Sequence, residues 1–92
     1  MIEGKYEKTQ IEESIDEVEV EALHLIFEMA KKYEESSDLF QAIPLYEKIM
    51  SSYPETPEAD KSKKAILIIA QNYERGGKKH VALSLYSKIA NI

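Results

Sequence analysis

The sequence predicts an all-α fold of tandem antiparallel helical hairpins, about four helices in all. Three observations predict it. Apolar residues recur at spacings of three and four. The chain matches itself when shifted by forty residues. The breaks between apolar stripes hold helix-capping and helix-stopping residues.

The first helix is read from Leu23, Ile26, Phe27, Ala30 and Tyr33, which form one helical stripe. Ahead of it Ile11, Ile15, Val18 and Ala22 keep the same spacing, so the helix is expected to begin near Ile11. Ser36-Ser37-Asp38 breaks the stripe. Asp38 followed by Gln41 has the form of a capping box and starts a second helix near Leu39. That helix carries Ala42, Leu45, Tyr46, Ile49 and Met50 on one face. Pro44 lies within it and removes a backbone hydrogen bond, which predicts a local bend or a late start. Tyr53-Pro54-Glu55-Thr56-Pro57 ends the unit. Thr56 suits an N-cap and Pro57 the first helical position, so a third helix is predicted from Pro57 to Arg75. Gly76-Gly77 stops it, and a fourth helix runs from about Lys78 to the C-terminus.

Shifting by forty superimposes Ile26 on Ile66, Ala30 on Ala70, Tyr33 on Tyr73 and Glu34 on Glu74. It also superimposes Ala42 on Ala82, Leu45 on Leu85, Tyr46 on Tyr86, Lys48 on Lys88 and Ile49 on Ile89. The domain reading follows. Residues 1–22 are an acidic arm or an extension of the first helix, and residues 23–92 are the body. Its repeats cover 23–56 and 63–92.

This pattern resembles the tetratricopeptide repeat family. The matching places are a small residue in the first helix (Ala30, Ala70), an aromatic one turn on (Tyr33, Tyr73), a small residue opening the second helix's face (Ala42, Ala82), an aromatic after it (Tyr46, Tyr86) and a closing proline (Pro54). The family period is about 34 residues; here it is longer, with the excess at Pro57–Ser62, and Ile49 and Ile89 stand where alanine is usual. The stretch from Tyr53 to Ala59 looks like long-period versions found in bacterial envelope-assembly and cell-division accessory proteins. A rival resemblance, to the three-helix microtubule-interacting-and-transport domain, shares the Ala-x3-Tyr pattern but leaves the self-match unexplained.

Composition narrows the function. Residues 1–22 hold two lysines and eight acids, a net of −6, and the remainder holds ten bases and nine acids, a net of +1. An acidic arm on a near-neutral body argues against nucleic acid, whose phosphates demand a basic surface. The longest apolar run, Ala65 to Ala70, falls far short of the roughly 20 residues of a membrane helix. The N-terminus has no signal-peptide pattern, so the expected compartment is the cytoplasm, or the periplasm if a leader has been trimmed.

No reactive constellation stands out, and neither catalysis, a cofactor nor a metal is expected. There is no cysteine. His24 and His80 have no partner at ligand spacing along the sequence. Glu12/Glu13 and Glu34/Glu35 are helix neighbours that point apart. Ser36-Ser37 and Ser51-Ser52 sit at helix ends, and Gly76-Gly77 is a turn. Lys61-Lys63-Lys64 and Lys78-Lys79 read as surface charge, and the four repeated tyrosines as core.

The expected function is a protein-interaction module, a scaffold or assembly adaptor. The alternative is a self-assembling unit, a homo-oligomer joined through open repeat ends. The resemblance implies a groove lined by the first helix of each unit. Its lining would come from His24, Phe27, Lys31, Glu34 and Glu35, then Lys64, Leu67, Ile68, Gln71 and Arg75. The lysines and asparagines with which part of the family grips acidic C-terminal tails are not matched, because Phe27, Lys31 and Ile68 occupy those places. The mixed, partly apolar lining suits an amphipathic helix or extended segment of a partner. In the third helix, Ile66, Leu67, Ile68 and Ile69 point all round, which predicts burial all round: one side on the first unit, another on the fourth helix, and a third with no cover among these 92 residues. Val81, Leu85, Ile89 and Ile92 likewise form an apolar closing face, so Ile68, Ile89 and Ile92 are expected to mark an association surface.

Overall fold

A computed structural model describes the backbone of residues 2–91 and the side chains of residues 17–91. Four helices make up nearly all of it: α1 (Ile2–Glu35), α2 (Leu39–Ser52), α3 (Pro57–Arg75) and α4 (Lys79–Ala90). Among the described residues there is no strand. The packing is sequential: α2 folds back on α1, α3 packs on α2, and α4 folds back on α3. α1 also touches α3 along a thinner seam. The chain is thus two antiparallel hairpins laid side by side, as the periodicity predicts.

The turns show why the sequence breaks where it does. At the end of α1, Ser37 N–H donates to the Glu34 carbonyl (2.9 Å) and Asp38 N–H to the Tyr33 carbonyl (2.8 Å). Ser37 has φ 62°, so this is a Schellman closure with a left-handed residue. Forty residues on, Gly77 N–H donates to Glu74 (3.0 Å) and Lys78 N–H to Tyr73 (2.8 Å), with Gly77 at φ 82°. The repeat therefore extends to individual backbone bonds, although serine stands in one copy and glycine in the other. Asp38 caps α2, its Oδ1 accepting from Gln41 N–H at 3.3 Å. Thr56 Oγ1 accepts from Ala59 N–H at 3.1 Å and donates to the Tyr53 carbonyl at 2.8 Å, so one hydroxyl ends the linker and starts α3.

Three expectations about the elements need correction. The first helix begins at Ile2, well before Ile11; helical spacing marks only the apolar stripe, and the charged residues ahead of it continue the helix. Pro44 neither delays nor ends α2, because it lies in the second turn and deprives only the Phe40 carbonyl of a partner. Lys78 is the N-cap of α4 rather than its first residue, and its side chain makes no capping bond.

The core lies between the hairpins. Ala30, Ala42, Tyr46, Met50, Ile66, Ile69, Ala70 and Leu85 form one buried cluster. Leu23, Ile49 and Ala59 form a second beside it. Ala30 and Ala70 are fully buried, as close helix approach requires. Leu85 is buried and Ile89 packs against the main cluster, whereas Val81 is 39% exposed, so the closing face is covered only in part. Ile92, Ile11 and Ile15 lie outside the residues whose side chains are described. Among the described residues Ser62 is the one buried polar residue, and its hydroxyl has no hydrogen-bond partner there.

Candidate protein-binding surface

The residues predicted to line a groove belong to α1 and α3, and the α1–α3 seam is built from named contacts. His24 Nε2 lies 3.0 Å from Glu58 Oε2. One turn further along both helices, the Lys61 ammonium stands 5.9 Å from the Phe27 ring centroid. Lys31 covers the same ring at 5.5 Å. Phe27 itself is half-buried and meets the Tyr46 ring edge-on, with centroids 6.2 Å apart and planes at 63°. Phe27 is therefore a floor residue anchored in the core, with two cations over its open face.

The other predicted residues are placed as follows. Lys64, Leu67, Ile68, Gln71 and Arg75 are all exposed on α3. Ile68 is 54% exposed, a large value for isoleucine on a helix whose Ile66 and Ile69 are buried. The side of α3 expected to lack cover within the chain is the one that carries Leu67 and Ile68, which face outward. Glu34 does not stand free in a groove, because its carboxylate accepts the Tyr46 hydroxyl hydrogen bond. Glu35 is exposed. Ile89 is half-buried and so contributes little open surface.

Sequence reasoning treated the tyrosines as apolar core and missed their polar ends. Tyr86 donates to Glu74 Oε1 at 2.8 Å, the same bond forty residues on from Tyr46–Glu34. Burial first, then the bond to Glu34, pushes the Tyr46 hydroxyl well above the usual phenol range. For Tyr86 the bond to Glu74 comes first, and the direction is the same. The paired identity of Glu34 with Glu74 and Tyr46 with Tyr86 was the available signal. The partners Glu58 for His24 and Lys61 for Phe27 are not readable from spacing, because they arise only when α3 packs beside α1. Lys88 also pairs with Glu47 at 2.9 Å, tying α4 to α2.

A cleft of about 360 Å³ opens where the first turn meets α3, lined by Glu34, Ser37, Leu39, Ile69, Asn72 and Tyr73. Apart from Glu34, none of the predicted lining residues reaches it. The α1–α3 face is an open surface, suited to a long segment more than to a small molecule. Among the described residues no three histidine, aspartate or glutamate side chains gather as a metal site, and no helix is long and apolar enough to cross a membrane. No family model, curated protein or solved structure matches the chain.

Proposed function

We propose that this chain is a protein-interaction module of tetratricopeptide type, a scaffold or adaptor that holds an amphipathic segment of a partner protein across α1 and α3. The observation that carries the reading is the exposed Ile68. It lies beside Leu67 on a helix that also presents Lys64, Gln71 and Arg75 and whose Lys61 stands over Phe27. An apolar anchor ringed by polar and cationic groups is the composition of a recognition surface. The reading assigns no catalysis, cofactor or metal to the chain.

The test compares wild type with Ile68→Lys, each immobilised and exposed to extract of the native cell, with captured proteins quantified by mass spectrometry. Ile68 is exposed, so the variant should keep its helical circular dichroism. At least one protein should be captured by wild type and lost with Ile68→Lys. Identical capture by both, or none beyond bare matrix, refutes the reading.

A further inference from the structure

Positions forty residues apart occupy equivalent places within their own hairpins. A difference in burial between them therefore isolates the face on which the two hairpins meet. On α3, Ala59, Ser62 and Ile69 are buried, Ile69 to 3%. Their counterparts on α1 are Glu19, which is exposed, Ala22, which is half-buried, and Met29, which is 39% exposed. Leu25, on the same stripe of α1, is 62% exposed. On α2, Tyr46, Ile49 and Met50 are buried and Ile43 is half-buried. Their counterparts on α4 are Tyr86 and Ile89, which are half-buried, Ala90, which is exposed, and Leu83, which is 64% exposed. Inside the chain α2 and α3 pack on each other, and these two sets lie on the helices that meet there. α1 thus carries an α3-type face without its α2, and α4 carries an α2-type face without its α3.

We propose that a second copy of the chain supplies the missing halves, with α1 of one copy packing on α4 of the next as α3 packs on α2. The end faces differ in charge in the sense this requires. Glu17, Glu19, Glu21 and Glu28 are exposed on α1, whereas α4 carries exposed Lys79 and His80, a Lys88 already paired with Glu47, and no acid. An α1–α1 pairing would instead bring two regions of net charge −6 together. The shapes also correspond. Met50 and Ala59 line one cleft across the internal junction, and their counterparts Ala90 and Glu19 exchange the large and small sides. Leu39 and Ile69 line another, with counterparts Lys79 and Met29. The charged Glu19 and Lys79 leave this junction less apolar than the internal one, so the association is reversible and grows with concentration. The contact joins two different faces, so it leads to open chains or rings of copies and does not stop at a two-fold dimer. It does not depend on the α1–α3 recognition reading.

The test uses the full chain in sedimentation across concentration. Wild type should exceed twice the monomer mass at high concentration. Leu25→Glu with Met29→Glu blocks the α1 face, and Leu83→Glu blocks the α4 face; each variant alone should remain monomeric. Mixed in equal amounts they should form a heterodimer and nothing larger, because each retains the face the other lacks. Wild type that stays monomeric, a dimer that persists in either variant alone, or a mixture that fails to pair overturns the proposal. If a variant does not fold, single cysteines decide it, since the chain has none of its own. Met29→Cys mixed with Leu83→Cys under mild oxidation should give the mixed disulfide in excess of both homodimers. A statistical distribution of the three products overturns the proposal.

Discussion

Removing the Tyr46 hydroxyl should destabilise the chain, whereas removing that of Tyr86 should leave its thermal midpoint unmoved. The two side chains are the same residue at equivalent positions, each donating to the equivalent glutamate. They differ in surroundings: Tyr46 is 1% exposed between the hairpins, and the Tyr86–Glu74 bond is exposed. A hydrogen bond to a charged group contributes about 1.5–3 kcal/mol when shielded. Tyr46→Phe removes that bond and leaves the half-buried Glu34 carboxylate with one partner fewer. With Glu34 still half-open to water, a loss of about 1–2 kcal/mol follows. In a domain of this size each kcal/mol moves the midpoint by about 4–8 °C, so the shift is roughly 5–15 °C. The burial of Tyr46, with the bond to Glu34 second, has a pH signature. The folded-state pKa of Tyr46 is raised above its unfolded value of about 10. Its contribution is therefore complete below pH ~10 and is lost as pH rises from there toward the folded pKa. Calorimetry of wild type, Tyr46→Phe and Tyr86→Phe at neutral pH and at pH 10–11.5 measures both effects. The alkaline loss should be smaller in Tyr46→Phe than in wild type. Equal midpoints for the two variants would refute the claim that burial separates the two hairpins.

Four further substitutions probe the backbone and core. Ala70→Leu forces three extra carbons into the α3–α4 crossing and should cost about 1–3 kcal/mol, read from the urea midpoint; no change would place Ala70 outside the crossing. Ser37→Gly relieves a left-handed serine and should stabilise by about 0.5–1 kcal/mol, with Gly77→Ala, at the equivalent position, shifting the midpoint in the opposite direction. Ser62→Ala removes a buried hydroxyl that has no partner and should be neutral or stabilising by about 1 kcal/mol; a clear loss of stability would show that the hydroxyl is hydrogen-bonded in solution.

The hairpins were legible because their signals are local. Ser36–Asp38, Thr56-Pro57 and Gly76-Gly77 act through bonds to neighbours within a few residues, so spacing alone located three turns. The alanine pairs were legible because close approach admits only small side chains. The start of α1 was not, because an apolar stripe reports where a helix is covered and not where it begins. The surface was legible only in part. The family resemblance placed Phe27, Lys31 and Ile68 in one lining, but the roles of Lys61 and Glu58 depend on how α3 settles beside α1, which no local pattern encodes. The bond of Glu34 to Tyr46 was legible in principle, since both residues recur forty positions on as Glu74 and Tyr86.

The order in which the helices pack bears on how the molecule opens and closes. Each helix rests mainly on its neighbours in the sequence. Such short-range topology favours folding on the microsecond-to-millisecond scale. It also makes protection uneven. α2 is held from both sides by α1 and α3, whereas α4 rests mainly on α3 and is tied to α2 by the Lys88–Glu47 pair. Amide exchange should therefore be slowest in α2 and fastest in α4, with α4 peeling away while the other helices stay folded. The helix that loosens first is the one whose far side a neighbouring molecule would grip, so association would be felt first as slower exchange at the end of the chain.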